Sequence, residues 1–435
     1  MSDGRVAVIG GGWAGLAAAV TLTGAGRSVT VFETASTLGG RARRVELRNG
    51  VVDNGQHILL GAYRQTLGLL RSVHGAHVEP DLLERRRLHL EAPGLFRLRA
   101  PPLPAPWNLL TALLTMHGVS RRDRLATVAF VRRLRRTRFH CPPQLTVAAL
   151  LADQPESVVD WLWEPLCVAA LNTPLEAASG QIFLNLLREA FTVHARDSDL
   201  LLPRVDLGAL FPDAAARFLI DRGGEIRLAH NVSGVEPLAE GVALTSGPAE
   251  ELFAAAVIAV GPHQLSVLLE RLMAERRVTG VAAKVAAFAY EPIVTAYLHY
   301  PRALKLAQPM LKLDGKPGQW IFDRGQLNGE PGLTAVVIST DVPEARGDHA
   351  SLAQAIDAQL RRSIGDLPPP SWTQVIAEKR ATYACVAGLE RPAPGLLAPR
   401  VYLAGDYTDQ DLPATLEGAT RSGVAAARQL LAARN

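Results

Sequence analysis

The sequence predicts an α/β fold in which one parallel-sheet domain is assembled from both ends of the chain. A second, α+β domain is interwoven with it. Three observations lead there. Residues 5–9 are a short apolar run, followed at once by Gly10-x-Gly12-x-x-Gly15 and the helical run 16–22. A second apolar run, 29–32, ends on Glu33. Near the other terminus the strand-like run 401–404 ends on Gly405-Asp406. Strand, glycine turn, helix and acid in this order make the first domain Rossmann-like.

Each part of the amino-terminal unit has a physical task. Gly10 permits the tight turn, Gly12 lets the backbone approach a pyrophosphate, and Gly15 lets the helix pack closely on the strand. With Ala14 they form the first helical turn, whose free N–H groups and dipole favour an anion. Glu33, eighteen residues after Gly15, accepts hydrogen bonds from ribose hydroxyls. It repels a 2′-phosphate, so NADP is disfavoured.

The remaining segments divide between the domains. Residues 1–75, 205–265 and 390–435 are expected to form the nucleotide-binding domain. Residues 76–204 and 266–389 are expected to form a substrate-binding and membrane-facing domain. Residues 75–200 read as mostly helical, with proline-rich joints at 101–106 and 142–143. Residues 256–262 read as a buried strand and turn. The alternating runs 294–300 and 333–340 predict an antiparallel sheet. Residues 351–364 read as a helix, and 368–370 as a proline break.

Composition sets bounds. A chain of 435 residues, 48% hydrophobic, is long enough for two cored domains. Its three cysteines, Cys141, Cys167 and Cys385, have no CxxC spacing. No disulfide framework or metal site is expected, and the cytoplasm fits. No secretory signal and no run of eighteen apolar residues is seen. The net charge is only +4, but residues 121–138 carry eight arginines against one acid, Asp123. The apolar, aromatic stretch 107–116 precedes them. Together 107–138 read as a peripheral membrane contact, with a solvated basic helix as the alternative. No nucleic-acid recognition module is present.

Glu33 followed by Gly39-Gly40-Arg41 resembles the flavin amine oxidase and phytoene desaturase superfamily. The resemblance implies FAD. It implies that Gly40 and Arg41 line the pyrophosphate and flavin edge, and that the backbone at Val232 meets the adenine. It places Asp406, after Gly405, on the ribityl or pyrophosphate part. It aims the helix start at Leu416, Gly418 and Ala419 at the flavin pyrimidine edge, where the dipole stabilises reduced flavin. Some relatives attach flavin through a cysteine near this end. For Cys385 a small buried thiol is the expected role.

Two internal motifs narrow the branch. They are Val52-Asp53-Asn54-Gly55-Gln56-His57, and Trp163-Glu164-Pro165 running on to Asn172-Thr173-Pro174 and Ser179. Both resemble the squalene-associated FAD-dependent enzymes, the hydroxysqualene dehydroxylases of bacterial hopanoid biosynthesis. The resemblance spans nearly the whole chain. It implies a C30 triterpene alcohol as substrate and loss of water to an allylic cation. Hydride from reduced flavin then yields squalene, at the inner face of the cytoplasmic membrane. No second GxGxxG unit appears, so no separate NAD domain is expected and the electron donor stays unidentified. Gly55, Gln56 and His57 are expected at the isoalloxazine. The general acid is open among His57, Glu164, Asp409 and Asp411, each of which also has a purely structural reading. Asn54 and Gln56 are alternatives for fixing the flavin or polarising the hydroxyl. Two rival readings stand beside this one. One is an oxidative relative, a carotenoid desaturase or an amine oxidase using Lys284 or Lys305. The other is a prenyl-lipid escort without redox chemistry.

Overall fold

The structure is a computed structural model that describes residues 4–191, 194–273, 275–304, 306–340, 342–365 and 367–433. Its central sheet uses six strands: β1 (Val6–Ile9), β2 (Val29–Phe32), β3 (Glu225–Arg227), β4 (Ala255–Ile258), β5 (Gly395–Ala398) and β6 (Val401–Leu403). Their order is β3-β2-β1-β4-β6-β5. All pairs are parallel except the antiparallel edge pair β5–β6. The strands β1, β2, β4 and β6 are buried along their whole length, as continuous apolar runs under helices on both faces require. Helix α1 (Trp13–Gly24) follows β1 directly and is buried over most of its length.

The long connection between β2 and β3 carries helices α2 (Trp107–Thr115), α3 (Arg121–Arg136) and α4 (Gly180–Phe191). Ser120 caps α3 by accepting from the Asp123 amide. Trp163 lies in a π-helical turn, Val159–Trp163. Its ring meets Phe130 of α3 and Phe183 of α4 edge-on, at 5.5 and 6.4 Å between centroids. Helix is the main element over 75–200, as expected, but short strands interrupt it. Leu83–Arg86, His89–Ala92, Phe96–Arg99 and Leu200–Pro203 are strands. Along 96–99, Phe96 and Leu98 point inward while Arg97 and Arg99 point outward. That period of two marks a strand, but four residues are too short for it to stand out against helical neighbours.

A five-stranded antiparallel sheet forms the second layer. Its order is Met310–Lys312, Trp320–Asp323, Leu333–Ser339, Tyr290–His299, Trp372–Tyr383. Thr295 pairs with Val337 and Ile376 across its centre. The helix His349–Ile364 covers one face, with Ile356 and Leu360 packed among Leu298 and Ile338. The chain then returns through β5 and β6 to the last helix, α5 (Leu416–Ala432), capped by Thr415 accepting from the Gly418 amide.

Helix α5 lies against α1, and the contact is set by Gly423. A Cβ there would stand 2.1 Å from the carbonyl oxygen of Ala14. Replacing a mid-helix glycine by alanine normally stabilises by about 1 kcal/mol. Here Gly423→Ala is expected to destabilise by about 1–3 kcal/mol through overpacking. Denaturant unfolding of the flavin-loaded protein checks this, and an unchanged or raised midpoint refutes it.

Candidate active site

A cavity of about 860 Å³ opens where the carboxyl ends of β1, β2 and β4 face the second sheet. That position, at the strand ends of a parallel sheet, is where such folds bind ligands. Its wall contains Gly10, Gly12, Ala14, Glu33, Gly40, Arg41, His57, Val232, Gly405, Asp406, Leu416 and Ala419. Gly10 has φ +106°, and a Cβ on it would strike the Ala259 carbonyl oxygen at 2.6 Å. Gly15 lies behind the wall, because a Cβ there would meet the Gly10 oxygen at 1.9 Å. At Gly12 the nearest atom to a Cβ is the Gly40 Cα, 3.8 Å away. Bare backbone from two glycine turns therefore forms one cradle.

The cradle suits a dinucleotide. Gly12 caps α1 with no side-chain bond, so the first amides of the helix remain for an anion. The N-terminus of α5 reaches the same cavity through Thr415 and Leu416. Glu33 closes one end. Its Oε2 accepts from the Gly11 amide at 2.7 Å and its Oε1 from the Ala35 amide at 2.8 Å. A carboxylate offers about four acceptor sites, so two remain for a ribose diol. His230, Asn231 and Val232 stand beside it.

The two terminal motifs are joined by an ion pair. Arg41 Nη2 donates to Asp406 Oδ2 at 2.6 Å, and its Nη1 donates to the Ala381 carbonyl at 2.7 Å. Asp406 Oδ1 accepts from the Tyr407 amide. Burial opposes the charge on Arg41, but Asp406 and Glu378 outweigh it and raise the pKa above the ordinary range. Asn54 supports this corner. Its Nδ2 donates to the Arg41 carbonyl at 3.0 Å and to Glu378 at 3.1 Å.

His57 is the titratable group of the 52–57 motif that reaches the cavity. Its Nδ1 is 2.7 Å from the Gly55 carbonyl oxygen, so Nδ1 carries the proton in the neutral ring. Burial lowers its pKa below 6.5, against smaller upward pulls from that carbonyl and Asp53. Gly55 and Gln56 lie behind the wall rather than in it. Gln56 Oε1 accepts from Arg324 Nη1 at 3.4 Å. Arg324, which nothing in the sequence marks, is 1% exposed and pairs with buried Asp53 at 3.1 Å. Asp53 Oδ1 also accepts from the Leu207 amide, and Tyr297 donates to its carbonyl. This buried group carries the His57 turn from below.

The other sequence-derived acids are not brought to this cavity. Glu164 sits at the start of helix Glu164–Leu171 with an exposed side, its pKa raised by partial desolvation and by the nearby acids Asp160 and Glu176. Asp409 Oδ1 accepts from the amides of Asp411 and Leu412, and its Oδ2 is 3.3 Å from Arg421. Asp411 is half exposed, 3.7 Å from the same arginine. Gly418 gives its amide to the Thr415 cap. Lys284 pairs with Glu390 at 3.3 Å, away from the cavity. Lys305 lies outside the described residues. Cys385 is fully buried, its thiol pushed up to about 12 by burial, and it does not line the cavity.

A glycine-walled cradle under two helix N-termini, with an acid at one end and an Arg–Asp pair beside it, has the donors and the bare backbone that a dinucleotide cofactor requires. The chain belongs to the family of flavin containing amine oxidoreductases, whose model matches residues 13–431. It is 29% identical to a hydroxysqualene dehydroxylase from Rhodopseudomonas palustris, over 98% of both chains. Proteins of the same name from Sinorhizobium fredii and Zymomonas mobilis are each 26% identical over nearly their full lengths. A zeta-carotene desaturase from Synechocystis is 23% identical, covering 98% of this chain and 97% of its own. Among solved structures, an oxidoreductase from Methanosarcina mazei superposes with a TM-score of 0.75 at 17% identity, covering 97% of this chain and 99% of its own. It shares the fold.

Two outcomes follow from this geometry. Glu33→Arg places a cation where two amides and a diol need an acceptor. The variant is expected to purify with little flavin, and stoichiometric flavin absorbance would overturn the role given to Glu33. Arg324→Met leaves Asp53 buried and unpaired, at a cost of about 3–5 kcal/mol. Combining it with Asp53→Asn is expected to restore much of the loss. A single-variant cost below about 1 kcal/mol in denaturant unfolding contradicts the pairing.

Proposed function

We propose that the chain is an FAD-dependent dehydroxylase that reduces hydroxysqualene to squalene in triterpene biosynthesis. The observation that carries this reading is end-to-end similarity to hydroxysqualene dehydroxylases, at higher identity than to the desaturase. The dinucleotide form of the flavin is supported by Glu33 and residues 230–232, an adenosine end that a mononucleotide does not need. When bound, the reduced flavin supplies the hydride.

The chain's own residues have three tasks in this reaction. The glycine cradle and Glu33 bind the dinucleotide. Arg41, held by Asp406 and Asn54, fixes positive charge at the same cavity. His57 handles the proton that lets a hydroxyl leave as water. The Gly55 carbonyl engages Nδ1, so Nε2 is the nitrogen free to give a proton, and it does so from the cationic ring. Burial disfavours that form, so donation is an acid-side process. The desaturase reading runs the same site in the opposite direction, with electrons entering the flavin from an isoprenoid.

Photoreduced protein mixed anaerobically with hydroxysqualene is expected to yield squalene and oxidised flavin. Persistently reduced flavin with no squalene rejects the reading. Desaturation of zeta-carotene by the oxidised protein establishes the rival. The pH profile tests His57. A group with a lowered pKa donates when protonated, so single-turnover rates are expected to rise as pH falls through the region below 6.5. His57→Gln is expected to lose about 10²–10⁴-fold and to flatten that limb. An unaltered limb assigns the proton elsewhere.

A further inference from the structure

Away from the flavin cavity, a cleft runs between the hairpin His89–Ala92/Phe96–Arg99 and helix α2. It continues past Pro101 and Pro102 toward Arg87. Its walls are strongly cationic. Arg85 and Arg86 are neutralised by Glu79 and Glu84. Two acids line the cleft: Glu91 is engaged with His89 at 3.1 Å, and Asp199 with Arg85 at 3.3 Å. Arg87, Arg97 and Arg99 are exposed and have no ion-pair partner among the described residues. Nothing in the oxidoreductase site uses these three charges.

Helix α2 supplies the second observation. Trp107 and Leu114 are seven residues apart, about two turns, so they share one helical face. They are 58% and 41% exposed. Thr111, between them on that face, and Thr115 beside it line the cleft. An apolar ridge therefore runs directly beside the row of free arginines. Leu103 and Leu95 flank it, at 42% and 55% exposed. A row of unpaired arginines bordering exposed tryptophan and leucine complements the anionic headgroups and acyl boundary of a bilayer. No helix of the described residues is long and apolar enough to cross a membrane.

We infer that this face docks the enzyme on an anionic bilayer. Lipid phosphates occupy the cleft of Arg87, Arg97 and Arg99, and the Trp107–Leu114 ridge enters the acyl boundary. The inference extends the sequence-derived contact over 107–138 to the hairpin, where no sequence pattern placed it. It does not depend on which isoprenoid is turned over.

The test uses the flavin-loaded full chain and sedimentation with two kinds of vesicle, without substrate. One is pure phosphatidylcholine, and the other is an equal mixture with phosphatidylglycerol. The protein is expected to sediment with the mixed vesicles and not with the neutral ones, and to be released by salt. Substituting Arg87, Arg97 and Arg99 together by Gln is expected to lower partitioning about a hundred-fold. Trp107→Ala is expected to lower it several-fold and to remove a blue shift of tryptophan emission on binding. Flavin content and unfolding midpoint confirm that both variants are folded. Equal affinity for the two vesicle types, no binding to either, or full binding by the triple variant each overturns the inference. Capture by an acidic protein with no vesicle binding does the same.

Discussion

One ion pair fixes the arrangement of the molecule. Arg41 and Asp406 are far apart in sequence and 2.6 Å apart in space, across the mouth of the glycine cradle. Asp406, the buried member of the pair, must keep its partner, since losing it strands a charge. The first and last segments of the chain therefore have to meet. The long middle must leave the sheet after β2 and come back to it at β3, β4 and β6. Gly423 tightens the same closure from the far side, letting α5 touch the backbone of α1.

Two further polar groups hold the inserted region in register with that closure. Asn172 ends helix Glu164–Leu171 in the left-handed conformation, at φ +47°. Its side chain donates to Thr382 and the Pro292 carbonyl and accepts from the Thr340 amide, so it links three strands of the second sheet. Asp53, Arg324 and Tyr297 form the other clasp, between that sheet and the turn bearing His57. Both are buried and directional. A small shift of either sheet breaks several bonds at once, which makes the position of His57 over the cavity a property of the whole fold.

What was legible in the sequence follows from what each feature needs. The turn at Gly10, Gly12 and Gly15, with Glu33, is a local device whose spacing is set by its own backbone, so it can be read without knowing the fold. The strands 294–300 and 333–340 were legible because a long alternation cannot be helical. The hairpin over 89–99 was not, since its four-residue strands sit among arginines and prolines. Arg324 was invisible because its role exists only once Asp53 arrives from more than 270 positions away. The segment Trp163–Pro174 was legible as a family signature, yet its chemistry could not be inferred. In the structure Trp163 and Asn172 are packing and clasping residues, and Glu164 does not line the cavity. For Asp409 the decisive fact is that Arg421 and two amides engage it, which requires helix α5 in place.

The shared ownership of the cradle also orders events in time. Chains emerge from the ribosome amino end first, and early segments fold while later ones are still being made. The strands β1, β2, β3 and β4 can pair before residue 260 is followed by much else. The anion-binding turn is thus ready early, but it lacks Asp406 and the helix at Leu416 until those much later segments are made. A nascent chain therefore carries an open half-site until residues 406–419 have been made. Closure of the cradle waits for that late segment, long after Glu33 is in place.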